Sequence, residues 1–368
     1  MERVLSRLTG LLWRPAPRAL RGWALASVIA NAVIISTGAA VRLSSSGLGC
    51  PDWPSCTKSS AVAAHSAGQT TLNTWIEFGN RLLNFPLVAI AGLTFIAFLR
   101  YYQTSGRSRK DLVWLSAALP LGVVAQAVLG GILVLLKLPP ALVAAHFLLS
   151  TAIILSAAVV LHDRAAVLAR AAVLAGAGRA DSAPPLARRD LRVLAGVLTG
   201  VTALMLAAGT VVTGTGPLAG TTIDDQGHRT TVPRFHFSLE SVTQLHADIG
   251  WFIVALTLAL VIGLRFAGGS RRTVRLGAMV LGGLCLQGVI GYAQYLNHLP
   301  AGLVWVHEST AVVIWILVLR LYLSTGTGQP RSGRTGAAAA TAPADASQRP
   351  VSRADGTTGP AKSAIPAP

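Results

Sequence analysis

Three histidines lie inside apolar stretches of this 368-residue chain: His146, His246 and His307. Ionisable side chains are expensive within a membrane, so each marks a functional site by default. All three fall about one helical turn inside the outer end of their stretch, at one depth. Neutral imidazole suits heme iron, and two imidazoles on facing helices fill both axial positions. His246 and His307 are such a pair; hydrogen bonding between helices or a proton relay would use the same residues. The remaining histidines, His65, His162, His228, His236 and His298, read as solvated loop or helix-end groups.

Opposite His146 the sequence EFGNR offers Glu77, Asn80 and Arg81. Asn80 is a poor iron ligand, and Glu77 shares its helix face at i−3. A buried carboxylate beside an arginine is either a structural ion pair or a polar group aimed at a substrate. The stretch GLGCPDWPSC places Cys50 and Cys56 six residues apart in an outer loop. In an oxidising compartment they can form an exposed, exchange-prone disulfide, a structural staple, or stay as two thiols. No CxxCH heme-attachment motif and no second CxxC is present. Cys285 reads as a small packing residue.

The elements that must position these groups are membrane helices. Charged residues make up 12% of the chain and hydrophobic ones 52%, with mean hydropathy +0.57; soluble domains carry roughly 25% charge. Crossing a hydrocarbon core takes about 20 apolar residues. Eight candidates occur, near 22–41, 76–99, 112–136, 141–161, 191–213, 244–266, 275–296 and 303–323. The first is read as an uncleaved helix rather than a signal peptide, because that keeps the count even.

A formal charge of +17 raises the question of nucleic acid, and its placement answers it. With the N-terminus inside, 25 of the 31 Lys and Arg fall in the inner segments. The exceptions are Arg42, Lys58, Arg81, Lys137, Arg229 and Arg234. This is the positive-inside bias, so both termini are expected in the cytoplasm, the partner surface is lipid, and no nucleic acid is implied.

Shifting the chain by 161 residues aligns Gln126 with Gln287, Gly130 with Gly291, Pro139 with Pro300 and His146 with His307, without a gap over twenty-one positions. Thr37-Gly38 resembles Thr213-Gly214 more weakly. Low-complexity apolar content does not put Gln, Pro and His in one register. The fold expected is an all-α integral membrane protein, its eight transmembrane helices arranged as two pseudo-symmetric four-helix bundles. Units with an even number of spans share one orientation, which makes them parallel repeats. The expected organisation is an N-terminal segment 1–21, a first repeat 22–162, a cytoplasmic linker 163–190, a second repeat 191–323 and a disordered tail 324–368, whose composition cannot bury a core.

Together, TGAAVRLSSSGLGCPDWPSC, EFGNR, His146, QLHAD and His307 resemble the heme A synthase family over roughly 22–323. The resemblance implies a second half holding heme b between His246 and His307. It implies a first half that receives heme O and oxidises its C8 methyl group to the formyl group of heme A, with Glu77 at the reacting edge and Asn80, Arg81 and His146 around the substrate. It also implies a Cys50–Cys56 pair used during heme handling and a heme O synthase as a possible partner. This sequence departs from the family where other members carry a histidine in place of Asn80, which leaves one histidine for the substrate iron. A b-type cytochrome that only moves electrons, or a transporter built from parallel repeats, are the competing classes. Nothing in the sequence sets the oligomeric state.

Overall fold

In the computed structural model of the chain, residues 14–64, 69–179, 187–223 and 228–326 are described. His65 and nearly all of the expected tail lie outside them. Among the described residues, eight helices are long and apolar enough to cross a membrane: α1 Pro17–Leu43, α2 Thr71–Thr104, α3 Lys110–Leu135, α4 Pro140–Gly176, α5 Arg189–Thr215, α6 Leu239–Phe266, α7 Arg271–Leu296 and α8 Ala301–Thr325. The protein is an all-α, eight-span membrane protein.

Local sequence sets where these helices begin. Pro17 and Pro140 occupy first-turn positions, where a missing N–H costs nothing. Thr70, Ser238 and Ser270 cap α2, α6 and α7, each hydroxyl accepting from a backbone N–H three residues on. Pro86 has no N–H to give, and α2 turns slightly at Leu83 before continuing. Within α4, Leu149–Leu155 forms a π-helical segment just after His146.

The helices pack as two rings. α1 touches α2 and α4, and α3 touches the same two; α5 touches α6 and α8, and α7 touches those two. The rings meet where α8 packs on α1 and α4, and where the start of α4 meets α5. The 161-residue correspondence recurs in the backbone. Lys137 and Leu138 turn between α3 and α4 with φ of 62° and 63°; His298 and Leu299 turn between α7 and α8 with φ of 60° and 59°. Each turn closes with a matching bond, Leu138 N to Leu133 O and Leu299 N to Gln294 O.

Three apolar clusters hold the assembly. One fills the first ring and admits Leu206, Val312, Trp315 and Leu319 from the second. Another lies within α5 to α8. The third, Leu48, Val134, Leu138, Ala219 and Val232, joins the outer loops of both halves. Large apolar residues such as Trp114, Leu121, Ile262 and Val289 stay exposed on the helix exteriors, as lipid-facing surfaces require.

Several expectations change. Helix α4 runs to Gly176, so the basic segment expected as a linker from residue 163 begins as helix. His162 is therefore buried between helices instead of solvated, whereas His228, His236 and His298 are exposed. Cys285 is a free thiol exposed on α7 and not a buried packing residue. The outer loop between α5 and α6 holds an antiparallel hairpin, β1 Thr221–Ile223 with β2 Arg229–Thr231, which the sequence reading leaves as loop.

Candidate heme-binding site

In the second half, α6 and α8 bring His246 and His307 together. Their ring centroids lie 6.4 Å apart with the planes inclined by 55°. With a metal–imidazole bond of roughly 2 Å and a ring radius of about 1 Å, two imidazoles sharing one ion place their centroids about 6 Å apart. The observed spacing fits an ion between them. Neither ring makes a hydrogen bond among the described residues, and both Nδ1 atoms are buried without a partner. No cluster of three or more His, Cys, Asp or Glu able to hold a bare ion occurs among the described residues. Two nitrogens alone suit an ion whose other ligands come from a macrocycle, which is how heme iron is held.

Each imidazole rests on a glycine of the neighbouring helix. A Cβ on Gly209 of α5 would come within 3.3 Å of His246 Cε1, and one on Gly291 of α7 within 3.2 Å of His307 Cε1. In the first half, Gly130 of α3 stands at 3.2 Å to His146 Cε1 in the same way. The glutamines matched by the repeat do matching work: Gln126 Nε2 donates to the His146 carbonyl at 2.9 Å, and Gln287 Nε2 to the His307 carbonyl at 2.8 Å. Glycine and glutamine together set the rotation and depth of the histidine turn on α4 and on α8.

The first half differs in what faces the histidine. Among the described residues no second imidazole is recorded against His146, and its Nδ1 is buried without a partner. Asn80 Oδ1 is likewise buried and unpartnered. No hydrogen bond or ring contact joins His146 to Asn80 or to Glu77.

Glu77, 5% exposed, is committed elsewhere. Its Oε2 accepts from Cys50 N at 2.8 Å, and its Oε1 from Arg81 Nη2 at 2.6 Å and Nε at 3.1 Å. Arg81 also donates to three carbonyls of the loop, those of Cys50 at 2.6 Å, Asp52 at 2.8 Å and Ser55 at 3.1 Å. The pair clamps residues 50–56 onto α2, and Cys50 and Cys56 are joined as a disulfide within that clamp. Both cysteines are 0–1% exposed, so the expected exposed disulfide is in fact covered by the loop's own folding against α2. Gly49 permits this approach, since a Cβ there would lie 2.4 Å from Asn73 O. The loop then lays the Trp53 ring on Gly131, one residue beyond the glycine that seats His146.

A second polar pair escapes sequence reasoning. Arg42, at the end of α1, pairs with Glu308, the residue after His307, and donates to the Leu218 carbonyl. Trp305 Nε1 donates to Ser36 O at 2.9 Å, tying α8 to α1 beside it. A carboxylate one residue past a membrane histidine was the available signal; its partner, 266 positions away, could not be read.

The chain matches the cytochrome oxidase assembly protein family over residues 21–319, from the second turn of α1 to near the end of α8. It is also 28% identical over 131 residues to the heme A synthase of Lysinibacillus sphaericus strain C3-41. That stretch is 35% of this chain and spans 40% of the relative's length. The family match extends over both histidine-bearing halves, and the chain belongs to the cytochrome oxidase assembly protein family that contains the heme A synthases.

Proposed function

We propose that the protein is a heme A synthase, oxidising the C8 methyl group of heme O to a formyl group for use by terminal oxidases. The observation that carries this reading is the asymmetry between the halves. Two unpartnered imidazoles stand 6.4 Å apart in one, while among the described residues the other offers His146 without a second imidazole, and a buried, unpartnered Asn80 Oδ1. A complete axial pair retains a cofactor; a single ligand suits a molecule that must arrive, react and leave.

In this reading the second half is the permanent site, with heme b held by His246 and His307. Bound there, it supplies one-electron redox chemistry. The chain supplies position: Gly209 and Gly291 fix the ring planes, Gln287 fixes the His307 turn, and Arg42 with Glu308 locks α8 to α1 at the same level. The first half holds heme O through His146. Asn80, on the face of α2 that also carries Glu77 one turn earlier, lines the substrate side. Glu77 is assigned to the reacting edge, where a carboxylate either relays protons or stabilises positive charge developing on the methyl carbon. Arg81 keeps that carboxylate in one orientation, and the disulfide loop, with Trp53 on Gly131, shields it from the outer solution.

The protein belongs in the cell membrane with both termini cytoplasmic, because 25 of 31 basic residues then lie inside. We divide it into the two repeats 22–162 and 191–323, and a heme O synthase in the same membrane is the natural source of substrate. The test is to co-express the chain with a heme O supply in cells lacking their own heme A synthase and to extract the hemes. Heme A is expected. Extraction of heme b and heme O alone, with an intact low-spin spectrum, would instead mark an electron-transfer cytochrome.

A further inference from the structure

The end of the molecule opposite the histidine sites carries a charge cluster that the proposed reaction does not use. His162 and Asp163, adjacent on α4, are each 8% exposed. His162 Nε2 is buried without a partner, and Asp163 makes no hydrogen bond or close ion pair among the described residues. Arginines from three further helices converge on them. Arg21 of α1, Arg272 of α7 and Arg320 of α8 lie within Coulombic reach of His162, and Arg272, Arg320 and the adjacent Arg164 within reach of Asp163. None of these four arginines makes a hydrogen bond or close ion pair among the described residues. Three cations therefore face Asp163, one of them, Arg164, also within reach of Asp111, and Arg21 faces the adjacent His162 where the two helix rings meet.

The positive-inside bias explains why arginines lie on this side, but not why they converge. The inner end of α2 and its loop to α3 meet the same bias with Arg100, Arg107 and Arg109, the last already paired with Asp111. We infer that Arg21, Arg164, Arg272 and Arg320, over the floor made by His162 and Asp163, bind the phosphate of an anionic phospholipid. Basic pockets between helices at the cytoplasmic membrane face are suited to such headgroups. A lipid, rather than a free anion, is favoured by what continues from the arginines. Leu25, Ile29 and Val33 follow Arg21 at four-residue steps and are 42%, 55% and 48% exposed. Met279 and Leu286 follow Arg272 at seven-residue steps and are 49% and 56% exposed. Arg21 and Arg272 thus each head an apolar stripe along which an acyl chain can lie while its headgroup sits in the cluster.

The test uses delipidated full-length protein in detergent, titrated separately with phosphatidylglycerol, phosphatidylcholine and inorganic phosphate and followed by native mass spectrometry. Phosphatidylglycerol is expected to bind more tightly than phosphatidylcholine. Each arginine lost should cost about fivefold in affinity, so Arg272→Gln with Arg320→Gln should cost roughly twenty-fivefold. Arg100→Gln with Arg107→Gln, on the same side but outside the cluster, should change nothing. Should the double variant lose its monodispersity, Arg21→Gln, whose side chain is exposed, tests the same point at about fivefold. Equal binding of the two lipids, or unchanged affinity in the cluster variants, would overturn the site. Inorganic phosphate binding as tightly as phosphatidylglycerol would overturn the lipid assignment.

Discussion

The two halves use one scaffold to different ends. In both, a two-residue left-handed turn leads into a proline-started helix, a glutamine braces the histidine carbonyl, and a glycine seats the imidazole. What separates them is the second helix of each half. α6 adds His246 and completes a pair; α2 brings Asn80, and its preceding turn gives Glu77 to a clamped disulfide loop. The halves differ in the helix that faces this shared geometry, not in the geometry itself. On the proposed function, this is the difference between keeping a heme and processing one.

Removing the histidines one at a time should separate the halves most strongly. His246→Ala or His307→Ala should remove most of the resident heme, read as loss of the Soret and α bands in the purified protein. His146→Ala should leave that spectrum in place and abolish heme A in extracts. A normal low-spin spectrum from His246→Ala would mean that the permanent site is not where the paired imidazoles lie.

Next in size is the role of Glu77. Glu77→Gln should keep the resident spectrum and lower heme A formation by roughly a hundredfold, the lower end for loss of a positioned proton-transfer group. The clamp offers a competing cause, because Glu77 also holds Cys50 N and Arg81. Arg81→Gln with Glu77 intact separates the two. If Glu77 acts only by pinning the loop, the two variants should lose activity equally; if it faces the substrate, Glu77→Gln should be the more damaging by at least about tenfold. Heme A formation at the parent rate in Glu77→Gln would remove catalysis from the first half.

A smaller effect tests the glycine seats. Placing a methyl group 3.2 Å from Cε1 requires the imidazole to give by a few tenths of an ångström. Gly291→Ala should shift the resident heme bands and lower stability by about 1 kcal/mol, the low end for overpacking. Gly130→Ala meets the same contact distance but should leave those bands alone and weaken only heme O binding. Equal spectral shifts from the two variants would show that the halves are not separate sites.

Much of this architecture was legible because lipid imposes a simple rule on sequence. The apolar runs at 275–296 and 303–323 correspond to α7 and α8 within about a turn, and the shift of 161 located the matched turns, glutamines and histidines. Legibility failed where polar residues continue a helix. The first turns of α2 contain Asn73, Thr74 and Glu77, buried against the Cys50–Cys56 loop and not against lipid, so hydropathy does not register them. The extension of α4 past residue 162 carries His, Asp and Arg for a similar reason. Gly130 and Gly291 stood in the aligned repeat, but a glycine acquires meaning only once the ring that rests on it is placed. The Arg42–Glu308 pair joins separate halves, and nothing local records it.

The smallest expected effect concerns how far the halves act as one body. Trp315 of α8, 4% exposed, donates its Nε1 to Thr151 O at 3.0 Å and to Ser156 Oγ at 3.1 Å. Thr151 lies in the π-helical segment of α4, where the wider spacing turns a carbonyl out of the regular ladder and leaves it seeking a donor. Trp315→Phe keeps most of the aromatic bulk and removes only that donor. The net worth of one such bond is about 1 kcal/mol, and Ser156 Oγ, already 3.5 Å from the same carbonyl, can take over part of the loss. The expected result is a fall in thermal midpoint of a few degrees with the resident heme spectrum unchanged, because His307 lies two turns away and keeps its own glycine and glutamine supports. Heme A formation should fall in proportion to the folded fraction and no further. A spectral shift in Trp315→Phe would mean instead that the π segment following His146 communicates with the His307 turn through this single bond, and the two halves would then have to be treated as one coupled site.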